Sequence, residues 1–375
     1  MAEVRIPLPP RFATECLMGL LYHIDPAYTI TLSAGEATVE GPHPKRALRD
    51  VLELAAQVLE ERAQAGLRVE LGLSGNDRKY HGQIWKALSL PPDATPVEMV
   101  RILASNPLVD AGKVKLLSAL KPEYYEYNRI PGYAGSENVR KAGEEYPINV
   151  VAMCLTGYLL CRVGAARLER GMTVSVVLAP VLAGRGLAVD PDYRLTLFAT
   201  PLRRLSTSLL GRKGLLAGLF PETALALLLA SRMGSSLFRL YAIKEAKGQE
   251  PATVFAAMQM NLVPLREAME RMGLTEDRYA ELVERLAERS MNVNVQGVEK
   301  TLATRFSSLL YEVLSRTRPP EEFVSVVNRE YVSLTLPRSA SRRRYDEDSR
   351  MEKMVESVVY LANRIWKAVI RGEFS

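Results

Sequence analysis

The segment Pro337-Arg338-Ser339-Ala340-Ser341-Arg342-Arg343-Arg344 places four guanidinium groups within eight residues and contains no acid. Cations this dense repel one another unless an anion lies opposite, and guanidinium is the group suited to a bidentate grip on phosphate. The acidic run Asp346-Glu347-Asp348 follows at once, so an ordinary solvated, self-neutralised loop is the plain alternative. Arg203, Arg204, Arg212 and Lys213 form a second basic group in a Ser/Thr/Gly-containing stretch, suited either to phosphate or to ion pairs elsewhere in the fold. A third group lies in Ser74 to Gln83, which reads as a polar, glycine-bounded loop. There Asn76 and Gln83 have the amides that read adenine edges, with His81 between them, while Arg78 and Lys79 suit phosphate or guanine. A plain hairpin-like connection would look similar. Finally, Tyr124, Tyr125, Tyr127 and Tyr133 are interleaved with Lys121 and Arg129. Such rings stack bases of single-stranded nucleic acid, with Arg129 on the backbone, or pack half-buried with their hydroxyls at the surface.

Catalytic and metal-binding patterns are sparse. The three histidines, His23, His43 and His81, are not spaced with each other or with cysteine as metal ligands. His23 and Asp25 make a lone His-x-Asp. No phosphate-binding Gly-x-x-x-x-Gly-Lys-Ser/Thr loop occurs, Gly184-Arg185-Gly186 lacks the rest of a dinucleotide fingerprint, and there is no nucleophile elbow. The expectation is therefore binding without catalysis, and no cofactor or metal. The rival within this reading is a divergent metal-dependent nuclease using Asp190, Asp192 and Glu222 near the central basic segment, and a second rival is a scaffold that binds only protein. Cys16, Cys154 and Cys161 are too few and too scattered for a disulfide framework. Cys154 and Cys161, seven apart in an apolar helical stretch, share a buried face in this reading.

The elements that must hold these groups follow from periodicity. Helices are expected at Phe12–Tyr22 and Lys45–Ala65, the latter with Leu48, Val51, Leu52, Ala55, Val58 and Leu59 at three- and four-residue spacing. Tyr28–Leu32 and Glu36–Glu40 read as paired strands and Leu67–Leu73 as another strand. Short helices flank Asn106-Pro107. Ile148–Val163 reads as an apolar helix, with strands at Thr173–Leu178 and Arg194–Thr200 separated by a loop. Beyond Pro221 the pattern turns helical: Thr223–Ala246, Ala252–Met272, Glu276–Arg289, Gly297–Ser315 and Glu347–Arg371, with a strand at Tyr331–Leu336. The expected class is α+β, a mixed α/β domain over 1–215 followed by a mainly α-helical domain over 216–375.

Composition agrees with a globular chain: 375 residues, 47% hydrophobic and 25% charged. The net charge of +6 is concentrated, with 11 Lys and Arg against 4 Asp and Glu over 151–240. Local excess of this kind points to a face that meets a polyanion. Met1 to Pro10 lacks the apolar length of a leader, and the most apolar windows are broken by Arg162 and by Pro221-Glu222. The expectation is a soluble, cytoplasmic protein.

An α/β front, the tyrosine-rich join Tyr124-Tyr125-Glu126-Tyr127-Asn128-Arg129-Ile130-Pro131-Gly132-Tyr133, an apolar helix and strand, and a helical, basic back half follow in that order. In size and order the chain resembles the large subunit of archaeal type I-A CRISPR effector complexes (Cascade). The resemblance implies a non-catalytic subunit of an RNA-guided complex containing a crRNA and other CRISPR-associated subunits. Such a subunit recognises the protospacer-adjacent motif, holds target DNA strands and helps recruit a helicase-nuclease. The resemblance supplies no residue-level sites. On local chemistry alone, Asn76, Arg78 and Lys79 are candidate motif contacts, with Arg129, Arg203, Arg204, Arg212, Lys213, Arg338, Arg342, Arg343 and Arg344 as phosphate contacts.

Overall fold

The computed structural model describes residues 2–25, 27–33, 35–64, 69–124, 143–167, 173–180, 222–232, 237–291, 295, 297–335 and 345–373. The fold is α+β, in two compact units. The first comprises Met1–Arg212 with Phe238–Gln259, the second Lys213–Leu237 with Met260–Ser375.

In the first unit, β1 (Ala2–Pro7), β2 (Thr29–Ser33) and β3 (Glu36–Gly41) form an antiparallel sheet in the order β1-β3-β2. Val4 pairs with Val39 and Ile6 with Ala37, so the alternation puts these four side chains on the buried face. Two helices, α1 (Arg11–Leu21) and α2 (Pro44–Gln64), follow β1 and β3. The apolar stripe of α2 is the one its spacing predicts, with Leu48, Val51, Leu52, Ala55 and Leu59 buried. Next come α3 (Gly75–Ala87), α4 (Pro96–Ser105), the short β4 (Lys113–Lys115), a 3₁₀ turn (Ser118–Leu120) and β5 (Glu145–Pro147), which pairs with β4.

The centre of this unit is α5 (Ile148–Cys161), whose fourteen residues are all buried. It packs along α1 at very close range. A Cβ on Gly157 would lie 1.8 Å from the Cys16 carbonyl oxygen, and one on Gly19 would lie 2.3 Å from Cys161 Sγ. The orphan carbonyls at the end of α5 are met by the half-buried Arg62, whose Nη1 donates to Leu159 O at 2.7 Å and Nη2 to Leu160 O at 3.0 Å. Burial pulls the Arg62 pKa down to about 10. Cys16, Cys154 and Cys161 are free thiols in this core, and burial pushes all three upward, Cys161 to about 12.

A four-stranded sheet completes the unit in the order β6-β7-β8-β9, formed by β6 (Arg162–Arg167), β7 (Thr173–Pro180), β8 (Leu237–Lys244) and β9 (Thr253–Asn261). It is tied to α1 through buried Glu15. Tyr241 OH donates to Glu15 Oε2 at 2.5 Å, Arg239 pairs with Oε1, and Phe12 meets Tyr241 edge-on with centroids 4.7 Å apart. Burial raises the Glu15 carboxyl above its usual range, against the pull of Tyr241, Arg239 and Arg11.

The described residues of the second unit are mainly helical: α6 (Glu222–Arg232), α7 (Val263–Arg271), α8 (Asp277–Met291), α9 (Gly297–Leu314), α10 (Pro320–Thr335) and α11 (Tyr345–Ile370). Packing surrounds α6 with α7, α8 and α9, while α10 lies along α11. Among the described residues no helix is long and apolar enough to cross a membrane.

Several expectations are corrected. Residues 75–83 are helix, not loop, because Ser74 and Asp77 form a capping box. Tyr331 to Thr335 end α10: Phe323, Val327 and Leu334 continue a helical repeat, and Val332 is left 51% exposed, which outweighs the short alternation. Thr223–Ala246 and Ala252–Met272 each divide into a helix and a strand, because β7 offers β8 an edge to pair with and β8 in turn offers one to β9. Residues 69–73 form no strand, and the segment after Asn106-Pro107 enters β4 rather than a helix. The strand expected at Arg194–Thr200 lies outside the described residues.

Candidate nucleic-acid interface

Helix α3 brings together the three sequence candidates that the structure describes. Its buried side is set by Asp77 and Ile84, at 3% and 0% exposure. The opposite side carries Asn76, Lys79, Gln83 and Lys86 at steps of three and four residues, all exposed, with Arg78 exposed on the flank. The helix has one acid, Asp77, and it points inward, so the outer face holds three cations and two amides with no carboxylate. Among the described residues, no acceptor pairs with the side chains of Arg78, Lys79 or Lys86. His81 departs from the sequence reading: its ring stacks on Trp85 with centroids 3.7 Å apart, which turns it from the outer face, and burial lowers its pKa.

The rigidity of this face comes from Asp77. Its Oδ2 accepts from Ser74 N at 3.1 Å, Ser74 Oγ at 2.7 Å and Ser118 Oγ at 2.5 Å, while Oδ1 accepts from Ser118 N at 2.7 Å. Ser118 Oγ in turn accepts from Ala252 N at 3.0 Å. One carboxylate thus joins the start of α3, the 3₁₀ turn and the beginning of β9. The β8–β9 turn is also bound directly, Gly75 N donating to Gly248 O at 2.7 Å. Gly248 has φ +59°, the left-handed conformation that glycine adopts without strain. Lys121 is buried close by; burial pulls its pKa down and Asp77 opposes that shift. Its Nζ sits 5.3 Å from the Tyr124 ring centroid. The one described member of the tyrosine group thus has a cation over its ring.

A second basic area lies beside β1 and the start of α2, where His43, Lys45, Arg46 and Arg49 line an open groove. It is largely balanced: Arg46 lies 3.7 Å from Asp50, and Arg49 3.7 Å from both Asp50 and Glu53. Among the described residues, the outer face of α3 has no such compensation.

Arg129, Arg203, Arg204, Arg212, Lys213, Arg338, Arg342, Arg343 and Arg344 lie outside the described residues, as do Tyr125, Tyr127, Tyr133, Asp190 and Asp192. Among the described residues no group of three or more His, Cys, Asp or Glu side chains is arranged to hold a metal ion. Sequence reasoning missed Lys86 and the anchoring pair Asp77 and Ser118. The Ser74-x-x-Asp77 spacing is the signal that would have placed a helix start here and turned Asp77 away from solvent.

No curated protein matches the chain. The family model described as CRISPR-associated protein, CsaX matches residues 43–331, well over half of the chain and including all of α3. The chain therefore belongs to the CsaX family of CRISPR-associated proteins.

Proposed function

We propose that the chain is a non-catalytic nucleic-acid-binding subunit of an RNA-guided CRISPR interference complex, comparable to the large subunit of type I-A assemblies. It recognises the short motif flanking a target and holds target DNA strands. Its partners are the crRNA-containing assembly, other CRISPR-associated subunits and a separate helicase-nuclease. The observation that carries this reading is the outer face of α3, with Arg78, Lys79 and Lys86 exposed, no acid among them, and two amides alongside. Surface cations held on one rigid helix are suited to phosphate, and amides beside them to base edges. In this role sequence reading is divided, with the guide pairing to the target and the protein contacting the motif and backbone.

The test is fluorescence anisotropy of a labelled DNA duplex with the full-length chain, alone and in its purified complex, over a range of salt concentrations. Replacing Arg78, Lys79 and Lys86 together by alanine weakens binding to all sequences and lowers the slope of log K against log salt by roughly 2–3 units. The duplex is recovered uncut in the presence of Mg²⁺. Unchanged affinity and slope would remove α3 from the interface, and cleavage would overturn the non-catalytic role.

A further inference from the structure

Gly82 lies in the second turn of α3, on the exposed side, between Arg78 and Lys86. Glycine is among the poorest residues inside a helix, and a helical glycine is normally kept because a neighbour needs the room. Among the described residues no neighbour does so. A Cβ built on Gly82 meets nothing within 4 Å, and Gly82 is not at a positive φ. The described fold therefore gives no reason for glycine at the middle of this uncompensated basic face.

We infer that α3 inserts its outer face into the major groove of a B-form DNA duplex, with the backbone at Gly82 as the point of closest approach. This rests on the reading of α3 as a DNA-contacting helix and adds the class of nucleic acid and the manner of contact. Glycine lets a backbone come close to a ligand surface that a side chain would hold off. Around that point the chemistry is graded. Arg78 lies on one flank for a phosphate ridge, Lys79 and Lys86 lie beside Gly82, and Asn76 and Gln83 lie on the other side with base-reading amides. Asn76 and Gln83 are seven residues apart, two helical turns, so about 10 Å of rise separates them, close to three base-pair steps. A helix with its side chains is roughly 10–12 Å across, which fits a B-form major groove of about 12 Å. The deep, narrow major groove of A-form RNA does not admit it. A single strand has no groove to enter.

The experiment compares full-length wild type with Gly82→Ala, Gly82→Leu and Asn76→Ala/Gln83→Ala. Each is measured for thermal unfolding and for binding to three labelled probes: a DNA duplex with randomised central bases, the same DNA as a single strand, and an RNA duplex. Gly82→Ala raises the unfolding midpoint yet lowers duplex DNA affinity about tenfold, equivalent to ~1.4 kcal/mol. Gly82→Leu lowers affinity further, and neither change alters single-strand binding. Asn76→Ala/Gln83→Ala flattens the preference among central bases selected from the random pool. If Gly82→Leu leaves duplex affinity unchanged while the alanine replacement of Arg78, Lys79 and Lys86 still weakens it, groove insertion fails and the DNA-binding role stands. Equal binding of RNA and DNA duplexes also overturns insertion. A wild-type chain that binds no probe, alone or in its complex, removes the DNA-binding role itself.

Discussion

Asp77 decides whether the cations of α3 form a surface or a mobile loop. Its two oxygens accept four hydrogen bonds, from the backbone and hydroxyl groups of Ser74 and Ser118. An amide in place of this carboxylate would offer one acceptor oxygen and set an NH₂ group against donors. Asp77→Asn is therefore expected to destabilise the fold by about 2–4 kcal/mol, since bonds to a charged group are worth about 1.5–3 kcal/mol and an unmet buried donor costs about 1–3. Urea unfolding checks it, and a shift in midpoint of less than a few tenths of a molar would show that the network is not essential. Asn76, Arg78 and Lys79 are legible as binding candidates because their side-chain chemistry is written in the residue types. Their common orientation is not, because it is fixed by Ser118, 41 residues beyond Asp77, and by Ala252, 134 residues beyond Ser118. Local sequence carries no record of partners so distant.

At the scale of elements, the pairing of α1 with α5 is the tightest backbone contact described around the core. Gly157→Ala would place a methyl 1.8 Å from the Cys16 carbonyl oxygen, where the obstruction is backbone and cannot rotate aside. Overpacking costs about 1–3 kcal/mol even where side chains can yield. The expected outcome is a loss of about 3 kcal/mol or more, read as a large fall in the unfolding midpoint or as insoluble protein. Gly143→Ala, where among the described residues nothing lies within 4 Å of the added carbon, is the matched control and leaves the midpoint nearly unchanged. The helices are the legible part of this architecture. The spacing of Leu48, Val51, Leu52, Ala55 and Leu59 specifies α2 without help from its neighbours, and the apolar run after Ile148 specifies α5. Strand β8 is not legible. Leu240, Tyr241, Ala242 and Ile243 are buried on both sides of the strand, so the period-two alternation that marks a half-exposed strand is missing. Its register against β7, Val177 opposite Tyr241 and Ser175 opposite Ile243, is a tertiary choice. Strand β1 is hidden for another reason: its alternation of buried and exposed residues runs straight into prolines, which read as a breaker.

At the scale of the whole molecule, the chain is woven between its two units: it leaves the first to form α6, returns for β8 and β9, and then builds the remaining helices. This places a thoroughly apolar helix in the middle of a sequence whose neighbours on either side belong elsewhere. Leu225, Leu227, Leu228 and Leu229 of α6 are buried, and the helices packed around it, α7, α8 and α9, all come after residue 262. Burying a leucine is worth about 1.5–3 kcal/mol, so exposing four costs on the order of 6–12 kcal/mol, as much as a typical domain's entire stability. A fragment of residues 1–261 keeps every described strand and lacks the covering of α6. Expressed alone it is expected to aggregate or to bind a hydrophobic dye strongly, and co-expression with residues 262–375 is expected to recover a soluble one-to-one pair. The sequence shows the apolar run after Pro221 plainly, yet cannot say which helices cover it, because α6 has no polar face to define an orientation. If the 1–261 fragment proves monomeric, soluble and silent to the dye, then α6 does not depend on the later helices. The second unit would then have to be rebuilt around α7 to α11 alone.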